Sequence, residues 1–385
     1  MKTVKISALS AAILLSGFAS TATWAADGET VVIGLAGPLT GPSARIGKDL
    51  ENGAQLAIDD INKQHPTIGG KAVTFKLQSE DDQFDPRTAV AVAQRLVDSG
   101  VAGVVGHWNT GTSIPAARVY HDAGIAQVAP VATGHAYTQQ GFDTSFRVMG
   151  HDDDGGQLAG QYAVNTLKAK RIAVIDDRTA FGQGLADQFI KSLEAQGVKV
   201  VDRQYVDDKT VDFSAVLTAI RSKNADLIFF GGVDSQAAPL ARRIKQLGMN
   251  ATLMGAGGFV SQTFLKLAQK EGEGVVALEP GLPVDQMPGG KAFEQAYQSR
   301  YHTHIELHAP FAYDVTRVLV AAMEKAGSVD PSEYLPALRG ISYSGVTGQI
   351  AFDKESNLKS PSFTVYKVVE GKWLPQTVLG GAKAK

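Results

Sequence analysis

The feature that most constrains the fold is a regular alternation of strand and helix patterns that begins near Glu29. Short apolar runs such as residues 30–35 are followed by amphipathic segments such as residues 48–63. This alternation is typical of parallel sheets covered by helices. The roughly 360 residues that follow position 25 are too many for one ordinary core, so we expect about two domains. The predicted fold is therefore α/β, with two lobes that each contain a mostly parallel sheet flanked by helices.

Residues 101–138 contain two predicted strand ends that run into loops of small, hydroxyl-bearing and glycine residues. The first loop carries Trp108, Asn109 and Thr110, and the second carries Val131, Ala132 and Thr133. Open α/β sheets bind ligands at the carboxyl ends of their strands. Free backbone N–H groups beside a helix N-terminus favour a carboxylate or a phosphate. We therefore expect these two loops to hold the anionic end of a small molecule.

Residues 1–25 have the pattern of a secretory signal peptide. A short basic region precedes an apolar run, and small residues before Ala25 offer a cleavage site. Removal of Lys2 and Lys5 with this segment changes the formal net charge from -2 to about -4. A mildly acidic protein is a poor partner for nucleic acid and anionic membranes. We expect an exported protein, cleaved near Ala25, that is free in the periplasm or secreted outright.

The chain contains no cysteine. This excludes thiol catalysis, cysteine zinc sites, disulfides and a lipid-attachment cysteine after the leader. No dinucleotide fingerprint follows the first strand. We expect neither a cofactor nor a resident metal ion.

The pattern restarts after a short apolar segment at residues 146–149, and a Gly/Pro-rich region after Pro280 suggests a return crossing. We predict lobe 1 over residues 26–146 plus 279–348 and lobe 2 over residues 147–278 plus 349–385, with a hinge of several strands. Residues 198–206 are a predicted strand, residues 177–184 a predicted loop, and Asp212 a predicted helix N-cap. A cleft between two lobes is a preferred location for a small-molecule site.

Eight short motifs occur in an order and spacing that resemble those of the branched-chain amino-acid binding proteins, which are type I periplasmic solute receptors of ABC transporters. The motifs are residues 32–41 (VIGLAGPLTG), 53–62 (GAQLAIDDIN), Asp85-Pro86, Gly106-His107, 129–133 (APVAT), 181–184 (FGQG), 212–214 (DFS) and 348–353 (GQIAFD). The resemblance covers essentially the whole chain after residue 25. It implies hinge closure over a ligand and delivery to a membrane permease by a monomeric receptor.

The resemblance also implies roles for individual residues. Thr110 matches the hydroxyl that holds the α-carboxylate of the ligand, and the Val131 carbonyl and Thr133 match the second loop of the site. Phe181 matches an aromatic residue that closes over the ligand from lobe 2, although it lacks the hydroxyl of the tyrosine often found there. The ligand implied is an aliphatic or branched-chain amino acid.

Three positions depart from the pattern of these receptors. Gly257 stands where a carboxylate commonly neutralises the ligand ammonium, and Val233 and Ile46 stand where aromatic residues are expected. A buried ammonium that lacks its counter-charge costs about 3–5 kcal/mol. Either another carboxylate serves, with Asp234 the nearest candidate and Glu279 the second, or the ligand is a carboxylate without an α-amino group, such as an aromatic acid.

Other interpretations of the same residues remain open. Thr110 and Thr133 could cap their loops, Trp108 could be a packed loop residue, and Asp234 could cap a helix. His304 and His308 have the spacing of a metal pair on a helix, but an incidental solvated cluster is the favoured interpretation. The acidic runs at 80–82 and 152–154 are interpreted as solvated turns. An exported enzyme and a sensory receptor are the alternative functions.

Overall fold

The computed structural model describes residues 28–381, so the predicted leader lies outside the described residues. The strands are β1 (Glu29–Gly37), β2 (Thr67–Ile68), β3 (Lys71–Asp81), β4 (Val104–Gly106), β5 (Gln127–Ala129), β6 (Ser145–Arg147), β7 (Ile172–Asp176), β8 (Asp202–Tyr205), β9 (Leu227–Gly231), β10 (Thr252–Ala256), β11 (Val276–Pro280), β12 (Ser342–Ser344), β13 (Gln349–Ala351), β14 (Ser362–Val369) and β15 (Lys372–Gly380).

These strands form two large sheets and one small one. The first has the order β2-β3-β1-β4-β5-β6, and the second has the order β15-β14-β11-β10-β9-β7-β8. Pairing is parallel except for β2 with β3 and for the β11–β14–β15 edge, which is antiparallel. Strands β12 and β13 make a separate antiparallel pair. The predicted α/β class with mostly parallel sheets is confirmed.

Eleven α-helices accompany the sheets of the described chain. They are α1 (Ala44–Asn62), α2 (Pro86–Asp98), α3 (Thr110–Asp122), α4 (Asp152–Asn165), α5 (Ala180–Ala195), α6 (Ser214–Arg221), α7 (Asp234–Gln246), α8 (Gln262–Ala268), α9 (Gly290–Tyr301), α10 (Ala309–Ala326) and α11 (Pro331–Arg339). Short 3-10 helices occupy His135–Gln140, Gln269–Gly272 and Val284–Gln286. Among residues 28–381, no helix is both long and apolar enough to cross a membrane.

Two helix starts on the first sheet follow directly from local chemistry. Asp85 caps α2 by accepting the N–H groups of Arg87 and Thr88, and Pro86 occupies the first helical position, where a missing N–H costs nothing. Asn109 caps α3 by accepting the N–H of Thr112 at 2.7 Å. Both caps lie at the carboxyl ends of strands, so each polar loop passes at once into a helix.

Two local expectations differ from the structure. The strand expected at 198–206 is only β8, because residues 198–201 precede the sheet pairing of that strand. Asp212 is not the N-cap of α6, since Phe213 occupies that position. The Asp212 carboxylate instead accepts the Ser214 N–H at 2.9 Å.

The chain passes between the two large sheets near residues 148–151, 281–289 and 352–361. Helix α10 packs along α1 on the first sheet, and α4 packs against α5 on the second. Strand β11 continues to Pro280, so Glu279 belongs to the second sheet. The carboxyl ends of β4 and β5 therefore meet those of β9, β10 and β11 across one cleft.

Candidate ligand-binding site

A cavity of about 390 Å³ lies between the carboxyl ends of the two sheets. Its lining consists of Phe84, Trp108, Asn109, Thr110, Val131, Ala132, Thr133, Met149, Phe181, Val233, Gly257, Glu279, Pro280 and His308. All predicted site residues except Asp234 are in this lining. This volume includes space that is open to solvent.

The first loop presents the N-terminus of α3 to the cavity. Thr110 is the first residue of this helix and is only 1% exposed. Its hydroxyl oxygen accepts the N–H of Gly134 at 2.9 Å, which leaves the hydroxyl proton for another acceptor. A side chain at Gly134 would clash with Thr110, because a Cβ there would lie 2.3 Å from the threonine methyl. The two loops are therefore joined by a contact that only glycine permits.

The second loop is held from behind by Arg147, the last residue of β6. This guanidinium is fully buried and donates to the carbonyl oxygens of Ala132 and Gly134 at 2.9 and 3.0 Å, and to the Thr138 hydroxyl at 2.9 Å. Burial lowers the pKa of Arg147 to about 10, so the group stays positive at neutral pH. The same side chain thus orders the loop and places a positive charge behind it.

Aromatic rings form one wall of the cavity. The ring centroid of Trp108 lies 5.4 Å from that of Phe84 and 6.3 Å from that of His308. Burial lowers the pKa of His308 to about 4, so its imidazole is neutral at neutral pH. Asp49 fixes the segment that carries His308, because its carboxylate accepts the N–H groups of His308 and Ala309 at 2.9 and 2.8 Å.

The second sheet contributes the opposite wall. Phe181 lies in the first turn of α5, not in the loop that the sequence predicted, because the Thr179 hydroxyl caps the helix by accepting the Gly182 N–H at 2.9 Å. Val233 precedes α7, and Gly257 has a φ of +64°, which favours glycine. A Cβ at Gly257 would lie 3.4 Å from the Phe181 ring, an ordinary contact distance.

Glu279 is the one acidic residue of the lining, and it is 1% exposed. Its Oε1 accepts the N–H groups of Gly258, Phe259 and Val260 at 3.0, 2.8 and 3.1 Å. Its Oε2 has no hydrogen-bond partner among residues 28–381. Burial raises the pKa of Glu279 to about 7, while the three N–H groups act in the opposite direction.

Asp234, the first candidate for an ammonium partner, is buried outside the lining. Its two oxygens accept hydrogen bonds from the Ser261 hydroxyl and the Ser235 N–H. It is the first residue of α7, one position after the N-cap. Ile46, where an aromatic was expected, is a buried residue of α1 that is also absent from the lining.

Both acidic runs contain a residue that is buried, so their interpretation as solvated turns is wrong for Asp82 and Asp152. The Asp82 carboxylate lies 2.8 Å from the His107 ring nitrogen Nδ1, and both side chains are fully buried. Asp152 begins α4, and its N–H donates to the Thr133 carbonyl at 2.9 Å. Burial raises the pKa of Asp152 to about 7.

The expectation of a solvated histidine cluster is wrong for His308, which is 6% exposed. Helix α9 ends at Tyr301 and α10 begins at Ala309, so the segment between them is not helical and the spacing of His304 and His308 is not that of a helical pair. Within residues 28–381, no group of three or more His, Asp or Glu side chains could hold a metal ion.

Sequence reasoning missed four lining residues: Phe84, Met149, Pro280 and His308. In the sequence, Phe84 lies just after the acidic run 80–82 and Pro280 just after an apolar run at residues 275–278, so their positions gave weak signals of a cleft. No feature of the sequence indicated His308, because its position depends on a hydrogen bond to Asp49, which is 259 positions away.

The cavity is chemically polarised. One half offers the N-terminus of α3, the Thr110 hydroxyl and the positively charged Arg147 behind its second loop, which suit a carboxylate. The other half offers Phe181, Val233 and the carboxylate of Glu279. Such a site can bind a small molecule with an anionic end and an apolar body.

Comparison with known proteins identifies the family of this chain. The family described as periplasmic binding protein matches residues 30–372. The chain is 34% identical over 367 residues to the leucine-, isoleucine-, valine-, threonine- and alanine-binding protein of Pseudomonas aeruginosa, and the alignment covers 95% of this chain and 96% of that protein.

Two solved structures also superimpose on the chain. The leucine-binding protein of Thermotoga maritima has a TM-score of 0.84 and 25% identity, covering 91% of this chain and 98% of that one. The branched-chain amino acid transporter substrate-binding protein of Streptococcus pneumoniae, in complex with isoleucine, has a TM-score of 0.83 and 26% identity, covering 91% and 100%. The resemblance inferred from the ordered motifs is confirmed, and the chain belongs to the periplasmic binding protein family.

Proposed function

We propose that this protein is a periplasmic receptor that binds a small α-amino acid with an aliphatic side chain and delivers it, unchanged, to an ABC importer. The class of ligand we favour is that of leucine, isoleucine and valine, which the name of the Pseudomonas aeruginosa relative includes.

One observation carries the proposal. Residues from two loops of the first sheet and from α5 of the second line a single cavity of about 390 Å³. In our proposal, the Thr110 hydroxyl, the Val131 carbonyl and Thr133 hold the polar end of the amino acid. Trp108 and Phe181 enclose its side chain, and Asn109 and Ala132 complete the loop surfaces around it.

Binding proceeds by closure of two lobes about the crossing segments. We assign the first sheet, with residues 28–147 plus 290–351, to lobe 1 and the second sheet, with residues 152–280 plus 362–381, to lobe 2. Relative to the boundaries expected from the sequence, Arg147 moves to lobe 1 and Glu279 to lobe 2. The ligand favours closure only by its higher affinity for the closed state. Closure excludes water and so strengthens each polar contact. The receptor acts as a monomer, and its closed form is what the membrane permease recognises.

A thermal-shift screen of the purified protein against the amino acids tests the proposal. Leucine, isoleucine or valine at 100 times its Kd should stabilise the protein by about 2.7 kcal/mol and raise the melting temperature accordingly. Absence of any shift with aliphatic amino acids would overturn the amino-acid assignment.

A second candidate is a carboxylate without an amino group, such as an aromatic acid. Two observations favour it: the rings of Phe84, Trp108 and Phe181 line the cavity, and Gly257 stands where a carboxylate is expected. The same screen decides between them if it includes benzoate and 4-methylpentanoate. A shift with benzoate alone would select this candidate.

The proposal also states that the ligand is not converted. Mass spectrometry of leucine recovered after prolonged incubation with stoichiometric protein should give only leucine. A new product that requires the folded protein would instead indicate an exported enzyme.

A further inference from the structure

The carboxyl ends of β10 and β11 are adjacent in the second sheet. Ala256 pairs with Leu278 in the parallel register, so Gly257 and Glu279 are the next positions on neighbouring strands. Gly257 also donates its N–H to the Leu278 carbonyl at 2.9 Å. Neighbouring strands lie about 4.8 Å apart. Glu279 therefore presents its carboxylate to the cavity from the strand next to Gly257, which also lines it.

The two oxygens of Glu279 have different surroundings. Oε1 is saturated by three N–H groups of the segment that follows Gly257, which anchors the carboxylate in the cavity wall. Oε2 is buried and has no partner among residues 28–381. An unsatisfied buried carboxylate oxygen is costly, so a ligand group that donates a hydrogen bond to it gains affinity.

The opposite half of the cavity supplies donors. Thr110 has a free hydroxyl proton at the N-terminus of α3, and Arg147 adds positive charge behind the second loop. A molecule with a carboxylate at one end and an ammonium beside it matches this polarity. An amine-free carboxylate leaves Oε2 without a donor.

We propose that Glu279 Oε2 accepts a hydrogen bond from the α-ammonium of the bound amino acid, and that this contact is what distinguishes amino acids from carboxylates without an amino group. The inference rests on the proposed function and adds to it the residue that determines specificity.

The test compares L-leucine with 4-methylpentanoate, which lacks only the ammonium. We expect the wild-type protein to bind leucine at least 30-fold more tightly in calorimetric titrations. Glu279→Gln keeps an oxygen for the three N–H groups but removes the charge. It should lose at least 30-fold in leucine affinity and less than 3-fold in affinity for 4-methylpentanoate.

Asp234→Asn is the matched control, because it removes a second buried carboxylate of the same half that lies outside the lining. Its leucine affinity should stay within 3-fold of wild type. If Glu279→Gln kept leucine affinity within 3-fold, or lost both ligands equally, the inference would be wrong while the proposed function stood. If the wild type bound no aliphatic amino acid, the proposed function itself would fail.

A measurement on the wild-type protein tests the same inference in case the Glu279→Gln variant does not fold. Three other titratable groups face Glu279: Asp234, Tyr366 of β14 and His308 across the cavity. An ammonium at Oε2 stabilises the ionised form of Glu279, whose pKa burial has raised to about 7. Leucine should therefore release protons at pH 6.5, measured by calorimetry in two buffers of different ionisation enthalpy.

The proton release should be absent with 4-methylpentanoate. Equal release with the two ligands would contradict the role of Glu279, because the ammonium is the only group in which they differ. No release with leucine would contradict it as well.

Discussion

The Thr110 hydroxyl group can accept one hydrogen bond and donate another at the same time. Its oxygen accepts the Gly134 N–H, and its proton is free for a ligand oxygen. Because a hydroxyl has one donor and two acceptor positions, the first bond orients the second. The contact between the two loops therefore also orients the proton that we propose to donate to the ligand.

Thr110→Val keeps the shape of the side chain and removes both hydrogen bonds. We expect ligand affinity to fall by about 1–3 kcal/mol, the cost of leaving a buried polar group unpaired. Thr112→Val is the matched control on the same helix, since its hydroxyl bonds Asn109 and the residue is absent from the lining. The control should lose stability in urea and keep its affinity. Equal affinities for the two variants would contradict the placement of the site.

At the scale of the elements, β6 supports a loop that follows β5. Arg147 at the end of β6 holds the carbonyl oxygens of Ala132 and Gly134, so the short second loop is supported from behind where it enters the 3-10 helix at His135–Gln140. A long charged side chain in a fully buried position is rare unless it is paired. Its hydrogen bonds to the loop explain its presence there.

Arg147→Met should lower the free energy of unfolding by about 3–5 kcal/mol, because it leaves buried oxygen atoms unpaired and removes a buried charge. The ligand affinity should fall as well, since the second loop loses its support. Urea unfolding and calorimetry measure the two effects. Arg118→Met, an exposed position on α3, should stay within about 0.5 kcal/mol of wild type. Wild-type affinity in Arg147→Met would show that the loop does not depend on this residue.

The sequence predicted what depends on nearby residues. The strand and helix alternation and the two strand-end loops were predicted correctly, because hydrophobic periodicity and loop composition are local signals. The choice of Thr110, Thr133 and Phe181 came from the resemblance, and all three line the cavity. The order of the motifs added the type I arrangement. These signals are sufficient to predict the fold class and the two loops that form one wall of the cavity.

What the sequence did not predict depends on contacts between distant segments. Asp82 was assigned to a solvated turn, but the fully buried His107 ring 25 residues later pairs with it. His308 lies in the cavity wall because Asp49 binds its backbone N–H. Glu279 lies there because β11 extends two residues past Leu278. Whether a polar side chain is buried is decided by the segment that covers it, and composition does not identify that segment.

At the scale of the whole molecule, Asp152 connects the parts of the chain that belong to the two large sheets. It follows the crossing at 148–151, opens α4 and donates its N–H to the Thr133 carbonyl of the opposite half. Its carboxyl group is buried near Arg147, and burial raises its pKa to about 7. The folded protein therefore holds this proton more tightly than the unfolded chain.

A carboxyl group whose pKa is raised by folding stabilises the protein below its ordinary pKa near 4, and this contribution is lost as the pH rises to about 7. Asp152→Asn is neutral at every pH. The melting temperature of this variant relative to wild type should therefore rise between pH 5 and pH 8. A constant difference for Asp152→Asn would show that this group is already ionised at pH 5.

Trp108 gives the protein an intrinsic fluorescence signal close to the cavity. The chain has three tryptophans: Trp24 in the predicted leader, Trp108 in the cavity wall and Trp373 of β15, which packs 5.0 Å from the Phe264 ring. If the leader is removed as predicted, two indoles remain: Trp108, which we propose contacts the ligand, and Trp373, which is absent from the cavity lining. Trp373→Phe leaves a single emitter whose fluorescence reports occupancy, so stopped-flow mixing can follow capture and release without any attached dye.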